Sequence, residues 1–159
     1  MKRNIVTLTL LALTFLVFVA AAQTRKGQNN LDEARQAILK SNAVYFESFV
    51  KHDPQIFIDR YAKDCCIMMP NAPAMCGENA ARDFFKMAYE RFHLRNGKFI
   101  MTQIYGDGKE YVTEEGVWQS IDANNVVYDH GKYLVLWKKT SEGWKMFRDS
   151  FSSDLAPQN

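Results

Sequence analysis

Hydrophobic and polar positions recur at helical spacing over the first half of the chain and alternate over most of the second. Gly131 to Asp154 holds two alternating, aromatic-rich runs separated by Thr140-Ser141-Glu142-Gly143, which predicts a β-hairpin closed by a glycine-containing turn. Upstream, Lys98 to Tyr105 and Glu110 to Ile121 alternate in the same way, joined by Gly106-Asp107-Gly108-Lys109, and Asp122-Ala123-Asn124-Asn125 supplies the next turn. Before Lys98 the period is helical. Ala34, Ile38, Tyr45 and Phe49 fall near one face of a long helix, with Leu39, Phe46 and Val50 beside it. Asn30 with Glu33 three residues later forms a capping-box pattern at its start.

Asp53-Pro54 restarts the chain as a short helix through Ile56, Phe57 and Tyr61, because aspartate caps well and proline suits the first helical position. Cys65 to Met69 is a short apolar run, and Pro70-Asn71-Ala72-Pro73 turns it back through Ala74 to Cys76. A third helix is predicted from Gly77, burying Ala81, Phe84, Phe85, Ala88 and Phe92 and stopping at Asn96-Gly97. Three helices, a small hairpin between the second and third, and a meander of four long strands make an α+β domain. A bent antiparallel sheet wrapped on a long helix leaves a conical cavity with an apolar floor and a few polar groups at its mouth.

Composition narrows the field. The chain has 159 residues, 47% of them hydrophobic and 13% aromatic, enough for one core. A net charge of +2 with interspersed signs gives no footprint for nucleic acid. Lys2 and Arg3, the apolar run Ile5 to Val19 and Ala20-Ala21-Ala22 read as a secretory signal over residues 1–22, which predicts a secreted or periplasmic product with no membrane attachment after cleavage; the alternative is an uncleaved anchor, for which the run falls short of the ~20 apolar residues of a membrane helix. A polar leader over 23–30 and one domain over 31–155 follow.

Little of the sequence carries recognisable chemistry. His52, His93 and His130 lack metal-ligand spacing, so no metal is expected. There is no glycine-rich phosphate loop, nucleophile elbow or Cys-His pairing, so no cofactor is expected and hydride, phosphoryl and acyl transfer find no support. Cys65, Cys66 and Cys76 leave two alternatives. A hairpin folded about Asn71 would set Cys66 opposite Cys76 for a disulfide and leave Cys65 buried and free; otherwise all three are reduced apolar side chains.

Residues 31 to 155 resemble the nuclear transport factor 2-like superfamily, in particular its SnoaL-like and calcium/calmodulin-dependent kinase association-domain-like branches. The resemblance is carried by Tyr45 eight positions before Asp53, Tyr61-Ala62-Lys63-Asp64, Met69-Pro70-Asn71, Gly77, Asp129-His130-Gly131-Lys132-Tyr133 to Trp137-Lys138-Lys139, Gly143-Trp144-Lys145 and Arg148-Asp149. It implies a cone-shaped curved sheet packed on three N-terminal helices, and a homodimer formed by pairing sheets back to back. Fold likeness does not imply a reaction.

Among the related ketosteroid isomerases, the oxyanion-stabilising tyrosine is matched in spacing by Tyr45. The position of the general-base aspartate resembles Met69, whose thioether cannot accept a proton from carbon at neutral pH. Asp149, set between Phe147 and Phe151 in an aromatic strand, is the substitute base, or else a hydrogen-bonded or ion-paired member of the sheet. Tyr45 is in the same way either a proton donor or a buried space-filler.

The expected pocket lining is Tyr45, Phe49, Tyr61, Met69, Asn71, Trp118 and Trp137, with the alternative that the aromatic members only fill the core. Strand alternation puts Tyr133, Val135 and Trp137 on one face and Leu134, Leu136 and Lys138 on the other. The function expected is binding of a small apolar or aromatic molecule without an assigned reaction. The alternatives are an isomerase, lyase or cyclase-like enzyme acting on a hydrophobic carbonyl compound, and a dimerisation module without catalysis.

Overall fold

The computed structural model describes residues 27–156, so the expected signal segment and residues 23–26 of the leader lie outside the described residues. Helix α1 occupies 27–45, followed by α2 (Glu47–Lys51), α3 (Pro54–Ile58), β1 (Tyr61–Met68), β2 (Met75–Cys76) and α4 (Ala80–Glu90). Four long strands complete the chain: β3 (Asn96–Gly106), β4 (Tyr111–Ile121), β5 (Val127–Thr140) and β6 (Gly143–Ser153). They form one six-stranded sheet in the order β2-β1-β6-β5-β4-β3, antiparallel throughout except that β1 runs parallel to β6. The helices pack on one face, giving the cone-shaped α+β architecture expected. No helix of the described residues is long and apolar enough to cross a membrane.

Element ends differ from the sequence expectation, and Tyr61, expected in the second helix, opens β1 instead because α3 ends at Ile58. Asn30 lies inside α1 rather than at its cap, because the helix already includes 27–30, where Gln28 donates to Asp32 one turn on. The long first helix is broken at Phe46: the Ser48 hydroxyl donates to the Tyr45 carbonyl at 2.6 Å, competing for an acceptor that the helix would use. The third helix begins at Ala80, three residues after Gly77, whose positive φ of 92° instead turns the chain out of the β1–β2 hairpin.

The residue in the left-handed region after α4 is His93, not Gly97. Gly97 is required for a different reason: a Cβ there would sit 2.5 Å from the Phe46 ring. Phe92 falls beyond the helix and is 55% exposed, so it does not join the buried row of Ala81, Phe84, Phe85 and Ala88. The Asp53 cap, with its carboxylate accepting the Gln55 N–H at 2.9 Å and Pro54 in the first turn, is as expected.

Register within the sheet places the site. Four rows of side chains cross its inner face: Val112-Trp137-Met146, Ile104-Glu114-Val135-Asp149-Ile67, Met101-Gly116-Tyr133-Phe151 and Phe99-Trp118-Gly131-Ser153. Tyr133, Val135 and Trp137 therefore face the helices, while Leu134 faces out and is half exposed. An extra residue in β6 is decisive. The register slips between Leu136 and Trp137, so that Phe147 has no partner and the phase of β6 inverts. Without that bulge, Met146 in the core would put Arg148 inward as well; with it, Arg148 faces out and Asp149 faces in.

Candidate functional site

The narrow end of the cone is solidly packed. Trp137, Val112 and Met146 are each at most 1% exposed there. The wide end is not filled. Between α1, α4 and the inner face of the sheet lies a cavity of about 440 Å³, within the range of small-ligand pockets. Its walls are Tyr45 and Phe46 from α1 and its break, Phe84, Met87 and Ala88 from α4, and Phe99, Trp118, Tyr133 and Phe151 from the sheet. Met69, Pro70, Asn71 and Ala72 form one side of the mouth. Arg91, Ser120, Asp129 and Ser153 supply polar groups around it.

Two glycines make room for the aromatic walls. A Cβ at Gly116 would collide with the Ile100 carbonyl and stand 2.6 Å from the Tyr133 hydroxyl, so Tyr133 can lie across β4 only because 116 has no side chain. Gly131 is opposite Trp118, and any Cβ there would strike the Ser152 carbonyl, which accepts the Trp118 indole N–H at 3.1 Å. The indole thus crosses β5 and is anchored two strands away.

Asp149 sits at the floor and is 6% exposed. One oxygen, Oδ2, accepts the Tyr61 hydroxyl at 2.6 Å, and among the described residues the other takes no hydrogen bond. The sheet partner left open by the sequence is therefore a tyrosine of β1 rather than an arginine or lysine. Burial pushes the Asp149 carboxyl up to about 6; the Tyr61 hydrogen bond opposes the rise and the Glu114 carboxylate adds to it. Burial likewise raises the Tyr45 and Tyr61 hydroxyls well above their ordinary range, and the two hydroxyls are close enough to interact. Tyr61 and Asp149 form a hydrogen-bonded pair at the cavity floor, and Tyr45 lines the cavity with Asp149.

Glu114 is a second buried carboxylate that sequence reasoning missed. It is fully buried and accepts three hydrogen bonds: from Asn42 at 2.6 Å, the Tyr133 hydroxyl at 2.7 Å and the Trp137 indole at 2.8 Å. Burial raises its carboxyl, and all three donors pull the other way. A signal was present, since Glu114 is in phase with Val112 and Trp118 on an alternating strand.

Of the residues expected to line a pocket, Tyr45, Met69, Asn71 and Trp118 do so, together with Asp149. Phe49 and Trp137 do not; Phe49 is packed among the helices, stacked on Phe85, and Trp137 donates its indole N–H to Glu114 at the narrow end. Tyr61 stands behind the floor and reaches the cavity only through Asp149. Cys66 and Cys76 are paired across β1 and β2 in a disulfide with Cα atoms 4.1 Å apart, and Cys65 is buried and free.

Neither a family model nor a curated protein matches the chain. Solved structures do. A ketosteroid isomerase-like protein from Erwinia carotovora superposes with a TM-score of 0.60 at 18% identity, over 76% of this chain and 96% of that one. A protein of unknown function with a cystatin-like fold from Nostoc punctiforme gives 0.65 at 13% identity, over 77% and 92%. An NTF-2 like protein of unknown function from Shewanella oneidensis gives 0.62 at 16% identity, over 74% and 98%. With the curved sheet, the helix order and the cavity at the wide end of the cone, these likenesses establish that the chain has the nuclear transport factor 2-like fold.

Proposed function

We propose that the protein is an exported small-molecule-binding domain whose ligand, a compact molecule with an apolar or aromatic body, occupies the cavity between α1, α4 and the sheet. One observation carries this reading: a roughly 440 Å³ space walled by aromatic rings ends on a buried carboxylate with an unused oxygen. A core that only needed filling would gain from a larger side chain at such a place, since unfilled volume costs dispersion contacts.

The second reading is catalysis, with Asp149 as a base toward a hydrophobic carbonyl compound and Tyr45 as the proton donor. A carboxyl raised to about 6 beside tyrosine hydroxyls favours it, because a base works best with a pKa near the ambient pH. Thermal-shift screening identifies binders, and turnover is then compared in the wild type and Asp149→Asn. Binding with no turnover in either supports the carrier or sensor reading. Turnover that is lost in the variant supports the enzyme, and the absence of any ligand that raises the melting temperature counts against both.

The outer sheet face is proposed as the contact with a second copy. Ile100, Tyr105 and Leu134 are each more than 40% exposed on that side, and exposed apolar residues grouped on a face favour association. Sedimentation equilibrium of the wild type and Leu134→Glu tests this, with a monomer in both as the contrary result.

A further inference from the structure

We infer that the ligand is an organic cation: an aromatic or apolar body bearing a primary or secondary ammonium, the ammonium lying against Asp149 and ringed by aromatic faces. The inference rests on the ligand-site reading above and adds to it the charge of what enters.

Asp149 is buried, lines the cavity and keeps one oxygen without a donor among the described residues. No ion pair of the described residues includes it; those present are Lys51–Glu47, Lys109–Asp107, Lys132–Asp154, Lys138–Asp64 and Lys145–Glu142. A buried carboxylate without a counterion is costly and gains most from a cation brought to it. Glu114, in the same cross-strand row, makes the field at the floor more negative. Asp129 adds a carboxylate at the mouth, and among the described residues of the lining the opposing cation is Arg91, which is exposed at the rim. The walls suit the same guest. Tyr45, Phe84, Phe99, Trp118, Tyr133 and Phe151 present ring faces or edges to the space, and ring faces attract ammonium groups most strongly where water is excluded. A neutral carbonyl would bring its negative end toward a carboxylate, and would be welcome only while Asp149 holds a proton.

That contrast fixes the sign of the pH dependence. The titratable groups facing Asp149 are Tyr45 from α1, Tyr61 and Cys65 from β1, Glu114 from β4 and Tyr133 from β5, while α4 contributes Arg91 at its end. The tyrosines and the thiol are all raised, Cys65 to about 11, so they stay protonated between pH 5 and 8 on the order of their shifts. Asp149, pushed up to about 6, changes charge in that window and becomes more negative as pH rises. Cation affinity therefore rises from pH 5 to 8, and the affinity of a neutral acceptor falls.

The test uses 2-phenylethylammonium, its neutral isostere 2-phenylethanol, and phenylacetate. Each is titrated into the wild type and Asp149→Asn at about pH 5 and pH 8, with the Trp118 indole N–H resonance as the site reporter. The expected result is that the ammonium shifts that resonance and binds about tenfold or more tighter than the alcohol at the higher pH. The gap should narrow at the lower pH in the wild type and vanish in Asp149→Asn, while the alcohol binds both proteins alike. If the alcohol or phenylacetate moves the Trp118 signal with equal or higher affinity at the higher pH, the ligand-site reading stands and the cation preference is overturned. A preference that persists in Asp149→Asn also overturns it. If no probe moves the Trp118 signal, both readings fall together.

Discussion

Glu114 on β4 and Asp149 on β6 stand in one cross-strand row with Val135 between them, both turned toward the helices and both buried. Their surroundings differ. Glu114 is closed off by three donors, whereas Asp149 has one donor and an open side. One carboxylate is built into the scaffold and the other faces the cavity.

Asp149 makes stability depend on pH in an unusual direction for an aspartate. Its folded pKa of about 6 lies above the unfolded value, so it favours the folded state fully below the unfolded pKa and loses that contribution as pH rises through the folded one. The change is on the order of 2–3 kcal/mol. Asp149→Asn is expected to be at least as stable as the wild type at pH 8 and to show a flatter stability profile between pH 4 and 7. Urea unfolding at stepped pH measures both, and a variant with the wild-type slope contradicts the assignment.

Tyr61→Phe removes the hydrogen bond that lowers the Asp149 carboxyl. The Asp149 side-chain carbon signal is then expected to titrate at higher pH than in the wild type. An unchanged or lower midpoint would show that the hydrogen bond does not hold the carboxylate in solution.

At Glu114, alanine would strand the buried donors Tyr133 and Trp137, each of which costs about 1–3 kcal/mol when left without a partner, and the part-buried Asn42 amide. Loss of most of the folding stability is expected, read as a lower urea midpoint. Glutamine keeps the shape but turns an N–H₂ toward a donor, and its cost should be intermediate. Equal effects of the two substitutions would mean that volume rather than polarity matters there.

Gly116→Ala places a methyl group against the Ile100 carbonyl and the Tyr133 hydroxyl. Overpacking of this kind costs about 1–3 kcal/mol. The Tyr133 ring should be displaced from Glu114, and double substitution with Tyr133→Phe should recover part of the loss. Additive losses in the double variant would sink this account.

Reduction of the Cys66–Cys76 bond is expected to lower stability by about 2–3 kcal/mol, as for a short loop. Thiol counting on the denatured, unreduced protein should find a single reactive group, Cys65. Three would remove the disulfide.

Alternation and helical spacing were enough to place every long element, because each face of a strand or helix declares itself by what it can bury. The hairpin of β5 and β6, the Asp53 cap and the grouping of Tyr133, Val135 and Trp137 on one face were all legible in this way, while which face turns inward was not. Local spacing also set Cys66 opposite Cys76, though it could not choose between bonded and free thiols. Element ends were less legible: the break at Phe46 and the late start at Ala80 depend on single hydrogen bonds and one backbone angle.

The residues themselves determined that a curved sheet with one apolar face would close over an aromatic helix. Only the tertiary structure decided where the space between them stays open. That depends on sums that no local window contains: a bulge at Phe147 that turns Asp149 inward, glycines at 116 and 131 that admit rings from neighbouring strands, and a row register that sets Glu114 beside it. Trp137 carries the same aromatic signature as Trp118, yet it is packed at the narrow end while Trp118 walls the cavity. The difference lies in height along the cone, a coordinate fixed by strand pairing across the whole sheet.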